Sequence, residues 1–327
     1  MVHAAPGTVP LCLGTARLGS LGARLGLRAS VDLVHEALER GITHVDTADA
    51  YGAGASEWVL GRALRGRDAV TIATKGGYRF EERSGPQVRA RMAVAPWVAR
   101  LRRRPASGVS APASTQPPAG YQEQDFHPAQ LEAALVGSLR RLQRDHVGRY
   151  QLHGPPPELR TTLGDDILDW ASTAIERGLI GTFGVGAESL AQATPWLGSL
   201  PASSAQIPFG VLDPEAADGF LDAAAAAGCA VIARGVMGAG LLGGQADPSG
   251  QPAATRRRAD AVRSLAHERG LSVADLALGF VRAYPQVTTI VVGVTSSSHL
   301  DELTAAATRP LDPEVLERVG AIATGVA

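Results

Sequence analysis

The chain has 327 residues, 45% of them hydrophobic and 19% charged, with 31 basic side chains against 32 acidic ones. That near-balance argues against a nucleic-acid backbone binder, which needs a basic excess, and Cys12 and Cys229 are too few for a disulfide scaffold or a zinc cluster. The longest apolar run, Ala223 to Ala233, has 11 residues and stops at Arg234, too short to span a bilayer.

Short β-branched runs alternate with amphipathic stretches. Strands are predicted at Val9–Leu13, Thr43–Thr47, Ala69–Thr74, Val147–Leu152, Ile180–Val185, Ser204–Ile207, Ala230–Ala233 and Thr288–Val292. Helices are predicted at Ser30–Glu39, Ser56–Leu64, Pro128–Leu142, Asp165–Arg177, Leu190–Leu197, Pro214–Ala227 and Thr255–Ala283, with two more near Ser298–Ala307 and Pro313–Ile322. Within Pro128–Leu142, Leu131, Leu135, Leu139 and Leu142 fall on one helical face. Eight strand–helix alternations predict an α/β fold, a (β/α)8 TIM barrel, which is packed as one domain spanning 1–327.

One segment breaks the rhythm. Residues 76–126, following the third strand, show no clean periodicity and read as a long, flexible Arg/Pro-rich loop beside the barrel mouth. Arg100, Arg102, Arg103 and Arg104 cluster in it.

In such a barrel the C-terminal strand ends converge on the mouth, where chemistry is done. The second strand ends at Asp46, followed by Thr-Ala-Asp-Ala and Tyr51; the third ends at Lys75 and the fourth at His153. Of the 31 basic residues thirty are Arg, and Lys75 is the one Lys; Asn is absent altogether. Where Arg serves everywhere else, a single Lys points to chemistry that a guanidinium cannot do. From pattern alone, a structural histidine, an ordinary Asp–Lys ion pair and a capping tyrosine stay open beside a catalytic cluster.

The stretch GITHVDTADAYGAGASEWVLGRAL resembles the signature of the aldo-keto reductases. The ATK ending at Lys75, the segment DFHPAQLEAALVGSLRRLQRDHVGRYQLHGP around His153 and IARGVMGAGLLGG at 232–244 extend the resemblance over nearly the whole chain apart from the insertion. It implies a barrel that binds NADP(H) without a Rossmann domain, leaving NAD(H) open, and it maps the family's four catalytic positions onto Asp46, Tyr51, Lys75 and His153. In that reading Tyr51 donates the proton and Lys75 lowers its pKa. Asp46 holds Lys75, and His153 orients the carbonyl oxygen.

The same resemblance implies a cofactor surface of Gly14, Thr15, Ala16, Asp46, Gln206, Arg234, Gly235, Met237, Gly240, Leu241, Gly293, Ser297 and His299. Gly238-Ala-Gly-Leu-Leu-Gly243 fits G-x-G-x-x-G, but no helix opens directly after it, so it reads as a pyrophosphate loop rather than a Rossmann fingerprint. The chain departs from the family's pattern at several positions. Arg234 stands where many members have a Tyr that stacks on nicotinamide, and Gly186-Ala187 replaces a Ser-Asn pair, leaving Gln206 for the carboxamide. His299 and Leu303 occupy the positions of a phosphate-binding Arg and an adenine-binding Asn.

The partner expected is a small carbonyl compound, large or anionic if the arginine cluster receives it, with Trp97, Tyr78 and Tyr121 as an apolar wall. Gly154, where many relatives have Trp, leaves room for bulk. No nucleic acid, membrane or metal is expected, and the location expected is cytoplasmic. Two other function classes stay open: a class I aldolase-type lyase using Lys75 as a Schiff base, and a nucleotide-sensing subunit without turnover.

Overall fold

The computed structural model describes residues 9–18, 25–101, 121–199 and 201–325. Eight parallel strands close into a barrel in sequence order: Leu11–Gly14, His44–Asp46, Thr71–Gly76, Val147–His153, Ile180–Gly186, Ala202–Pro208, Ala230–Arg234 and Val287–Gly293, the last pairing with the first. Each run predicted as a barrel strand overlaps one of these. The strands are apolar on both faces because helices cover the outside and side chains fill the inside; Val231, Ile232 and Ala233 are all buried.

Register decides which residues share the mouth. Asp46 pairs with Ala73, and Lys75 lies two residues further along the same face. Lys75 in turn pairs with Gln151, and His153 lies two residues beyond that. Further round, His153 pairs with Gly186, and Gly186 with Gln206. The two-residue climb from strand to strand is the stagger of tilted strands in a closed barrel.

Helix Pro128–Leu142 buries Leu131, Leu135, Leu139 and Leu142 as its spacing predicts. Three other predicted helices are broken. Thr255–Ala283 is two helices, Ala253–Arg269 and Val273–Arg282. Gly270 ends the first at φ +61°, and Ser272 and Asp275 form a capping box that starts the second. Pro214–Ala227 divides into a 3-10 turn, Glu215–Ala217, and a helix, Phe220–Ala226, around Gly219 at φ +104°. Leu190–Leu197 is one helical turn followed by a 3-10 turn over Thr194–Trp196. Apolar periodicity runs through such breaks because both halves bury the same side.

The segment after the third strand carries structure that its periodicity did not show. Tyr78–Phe80 and Tyr121–Gln124 form a two-stranded antiparallel sheet, and Gly85–Leu101 is a helix. That helix sets Val88 and Met92 in a small cluster with Ala55 and Val59. So narrow a buried face, diluted by Arg and Ala, leaves little amphipathic signal. Arg102, Arg103 and Arg104 lie outside the described residues, as do the side chains of Arg100, Trp97 and Tyr121. Among the described residues, no helix is long and apolar enough to cross a membrane.

Candidate active site

Lys75 and Asp46 form a buried ion pair at the barrel mouth, with Lys75 1% and Asp46 4% exposed. The Lys75 ammonium donates to Asp46 Oδ1 at 2.9 Å and Oδ2 at 2.7 Å, and to the Thr47 carbonyl at 2.9 Å. Gln206 Nε2 donates to Asp46 Oδ1 at 2.8 Å. The Lys75 stem passes over Gly186, where a Cβ would stand 3.1 Å from Cδ and 3.2 Å from Cε. Glycine there admits the lysine.

The Lys75 ammonium sits 5.2 Å from the Tyr51 ring centroid, and Tyr51 packs edge-on against His153 at 5.6 Å. Burial works against the Lys75 charge, yet Asp46 and Tyr51 outweigh it and raise the ammonium pKa. At Tyr51 the expected pull of Lys75 is present, but burial exceeds it. Burial raises its pKa above the ordinary value of 10.0, Lys75 pulls it down and Asp46 pushes it up, and the net shift is upward. Burial is the largest of these influences, and Asp46, which holds the ammonium, offsets part of the Lys75 pull. His153 is held neutral, its pKa lowered to about 3 by burial and then by the Lys75 and Arg234 charges. Its Nδ1 is buried without a hydrogen-bond partner among the described residues.

Tyr51 opens a tight turn. Gly52, Ala53 and Gly54 follow it at φ +64°, +56° and +86°. For Ala53 the left-handed region costs about 1–2 kcal/mol. Bonds from Ala53 N–H to Ala50 O at 2.9 Å and from Gly54 N–H to Asp49 O at 2.8 Å close the turn. Below it, Glu57 is fully buried, accepting from Arg141 Nε at 2.7 Å and Thr74 Oγ1 at 2.5 Å.

This arrangement has relatives. The chain matches the Aldo/keto reductase family over residues 10–324. The chain belongs to that family. It is 27% identical to the uncharacterized oxidoreductase YrpG of Bacillus subtilis over 96% of this chain and 92% of the relative. It is also 25% identical to the L-galactose dehydrogenase of Arabidopsis thaliana, over 94% and 88%. Among solved structures it superposes on the aldo-keto reductase AKR11C1 from Bacillus halodurans with a TM-score of 0.76 at 24% identity, covering 96% of this chain and 91% of that one. The glycerol dehydrogenase AKR11B4 from Gluconobacter oxydans gives 0.73 at 23% identity, covering 95% and 90%. The protein is therefore an NAD(P)H-dependent carbonyl oxidoreductase of the aldo/keto reductase family.

The cofactor positions that the resemblance implies are spread around the same rim. Gly14, Arg234 and Gly293 end the first, seventh and eighth strands. At Gly235 and Gly293 an added Cβ would project into open space, so the backbone there is free for close approach by a flat or anionic group. Gly240, at φ +100° beside Ala239 at +54°, lies in a tight turn with Met237 at its start. The amides of Gly238, Gly240 and Leu241 close this turn on the carbonyls of Gly235, Met237 and Gly238, so what it offers a pyrophosphate is a compact backbone rather than free N–H groups. Ser297 begins helix Ser297–Thr308; Ser296 caps it, accepting from the His299 amide at 3.2 Å. These features fit a dinucleotide.

The other implied positions differ in exposure. The Thr15 hydroxyl is buried, donating to Asp46 O at 2.9 Å and lying 2.9 Å from Ser56 Oγ. Leu241 is 3% exposed, Ala16 is exposed, and Gln206 holds Asp46 as described. Arg234 donates to the Ala187 carbonyl at 2.8 Å and to Glu188 at 2.7 Å.

Two insertion residues reach the site. Tyr78 packs edge-on to His153 at 5.0 Å, and Gln124 Nε2 donates to the carbonyls of His153 at 3.1 Å and Gly154 at 2.8 Å. Gln124 carried no signal in the sequence, because only the antiparallel pairing with Tyr78–Phe80 brings it over the fourth strand. Gly154 is buried at φ +61°, and a Cβ there would meet Tyr78 and Gln124 at 3.5 and 3.6 Å. The space expected beside it is edged by the hairpin, and the glycine answers to backbone geometry.

Proposed function

We propose that the protein is an NADP(H)-dependent oxidoreductase that reduces an aldehyde or ketone, or in the reverse direction dehydrogenates the corresponding alcohol or aldose, with Tyr51 as the proton donor. The observation that carries the reading is the buried Asp46–Lys75 pair set against a protonated Tyr51 and a neutral His153. When bound at the rim, the nicotinamide supplies or accepts a hydride at carbon. The chain's own groups handle the oxygen. A neutral imidazole at position 153 holds the carbonyl oxygen by a hydrogen bond without delivering a charge of its own. The Tyr51 phenol, kept protonated by burial, gives its proton as negative charge develops there. Lys75 then faces a real phenolate, and its charge counts most in that state.

A raised Lys75 pKa argues against the lyase alternative, since Schiff-base formation needs a neutral amine. A preference for NADP(H) rests on the exposed serines at the N-terminus of Ser297–Thr308 and on the Arg17 charge close enough to act on His299. His299 itself is shifted toward neutrality, first by burial. The names of the sugar and glycerol dehydrogenases among its relatives support a hydroxylated substrate. NADPH and NADH oxidation across a panel of carbonyls tests the whole reading. Tyr51→Phe is expected to lower turnover by roughly 10²–10⁴-fold while cofactor fluorescence still reports binding. Full activity in Tyr51→Phe would rule the role out.

A further inference from the structure

The loop that carries Tyr51 is strained, and what holds it comes from the segment inserted after the third strand. Three consecutive residues, Gly52, Ala53 and Gly54, occupy the left-handed region, and one of them is not glycine. Such a turn points its carbonyls away from the backbone ladders. Arg83 meets two of them: its Nη1 donates to Gly52 O at 2.6 Å and its backbone N–H to Ala53 O at 3.3 Å.

Arg83 is itself braced on both sides. Its neighbour Glu82 accepts from Arg140 Nη2 at 2.8 and 2.6 Å and from Arg141 Nη1 at 2.9 Å. Arg141 continues to the buried Glu57, three residues past the turn, and its side chain lies 2.8 Å from where a Cβ on Gly54 would stand. On the other side, the inserted helix sets Val88 and Met92 against Ala55 and Val59, which belong to the helix that leaves the turn.

We propose that the inserted segment is a strut for the catalytic turn, with Arg83 as a positioning residue that holds Tyr51 against Lys75 and His153 by pinning the Gly52 carbonyl with its side chain and the Ala53 carbonyl with its backbone N–H. Arg83 acts through the backbone rather than by touching substrate. Without the guanidinium bond to Gly52 O, the turn would keep only the weaker Arg83 N–H bond to Ala53 O, and Ala53 would relax toward negative φ and swing the Tyr51 phenol away for part of the time. This inference rests on the reading of Tyr51 as proton donor.

The test uses the full chain and four proteins: wild type, Arg83→Ala, the double variant Arg83→Ala with Ala53→Gly, and Tyr51→Phe. Two quantities are measured, namely kcat for NADPH oxidation with a carbonyl that the wild type turns over and amide hydrogen exchange across residues 48–57. Arg83→Ala is expected to lower kcat about tenfold, equivalent to about 1.4 kcal/mol, with cofactor affinity unchanged and faster exchange in the turn. Adding Ala53→Gly, which makes the left-handed φ inexpensive, is expected to recover most of the loss. A loss of overall stability would instead lower Tm and speed exchange across the whole chain, whereas the strut confines the faster exchange to residues 48–57. Arg83→Gln replaces Arg83→Ala should the latter not fold. A kcat within twofold of wild type with unchanged exchange, or a loss that Ala53→Gly fails to restore, overturns the strut. A fully active Tyr51→Phe instead overturns the proton-donor reading, and the exchange measurement then decides the strut by itself.

Discussion

At the scale of single residues, Lys75 shows why thirty arginines do not substitute for one lysine. Its ammonium makes three short bonds inside a closed space, two to Asp46 and one to the Thr47 carbonyl, and its stem fits over a position without a Cβ. A guanidinium is wider and planar and cannot direct its donors at the same three oxygens. Lys75→Arg is expected to lose most of kcat in steady-state assays, and near-normal turnover would remove Lys75 from the mechanism. The pH dependence has a definite sign. Because burial raises the Tyr51 pKa above 10.0, the proton needed for reduction is present throughout the neutral range. The reduction rate is expected to stay level there and to fall only when pH passes that raised value. Oxidation, which needs the deprotonated phenol, is expected to rise with pH instead. His153, neutral above about 3, should leave no inflection near the ordinary imidazole value of 6.5. Paired pH–rate profiles in the two directions check both points.

At the scale of elements, the site depends on how closely the helix Ala55–Ala63 approaches its neighbour. Gly61 sits on this helix where an added Cβ would lie 2.4 Å from the Arg141 carbonyl oxygen and 2.9 Å from that of Leu142. Backbone at the end of the helix Pro128–Leu142 cannot give way as a side-chain tip can. Gly61→Ala is therefore expected to destabilise the fold by about 1–3 kcal/mol, read as a lower Tm. It should also disturb Arg141, and through it the Glu57–Glu82 bracket around the Tyr51 turn. The leucine face of Pro128–Leu142 was legible because four like residues fall at helical spacing. The approach at Gly61 was not, since a single glycine inside a helix carries no statement of what lies opposite. The same limit hid the break at Gly270, where apolar residues on both sides serve one buried face.

At the scale of the molecule, the closed barrel turns residues far apart in the chain into neighbours. Gln206 and Asp46 are 160 positions apart and hydrogen-bonded. The insertion adds a second layer beside the mouth, placing Tyr78 and Gln124 over His153. If its arginine cluster also receives an anionic carbonyl substrate, replacing Arg100, Arg102, Arg103 and Arg104 with Ser should raise KM for that substrate, with the difference shrinking as salt is added. An unchanged KM would leave that cluster as a solvated surface. Turnover should respond to Arg83 and KM to the cluster, which separates the two roles of the same segment.

By itself, the sequence determined the barrel and the candidate catalytic set. Eight short apolar runs at helical intervals close in only one economical way, and Asp46, Lys75 and His153 each end such a run, with Tyr51 in the loop that follows Asp46. Tertiary structure alone decided how those groups are poised. The upward shift of the Tyr51 phenol comes first from burial, which outweighs the pull of Lys75, with Asp46 adding to it, and that balance is not visible until strands are in register. It also decided that Gln206 points at Asp46 and that the inserted segment braces the Tyr51 turn. Those contacts join residues whose separation along the chain carries no periodic signal, so only the folded chain brings them into reach.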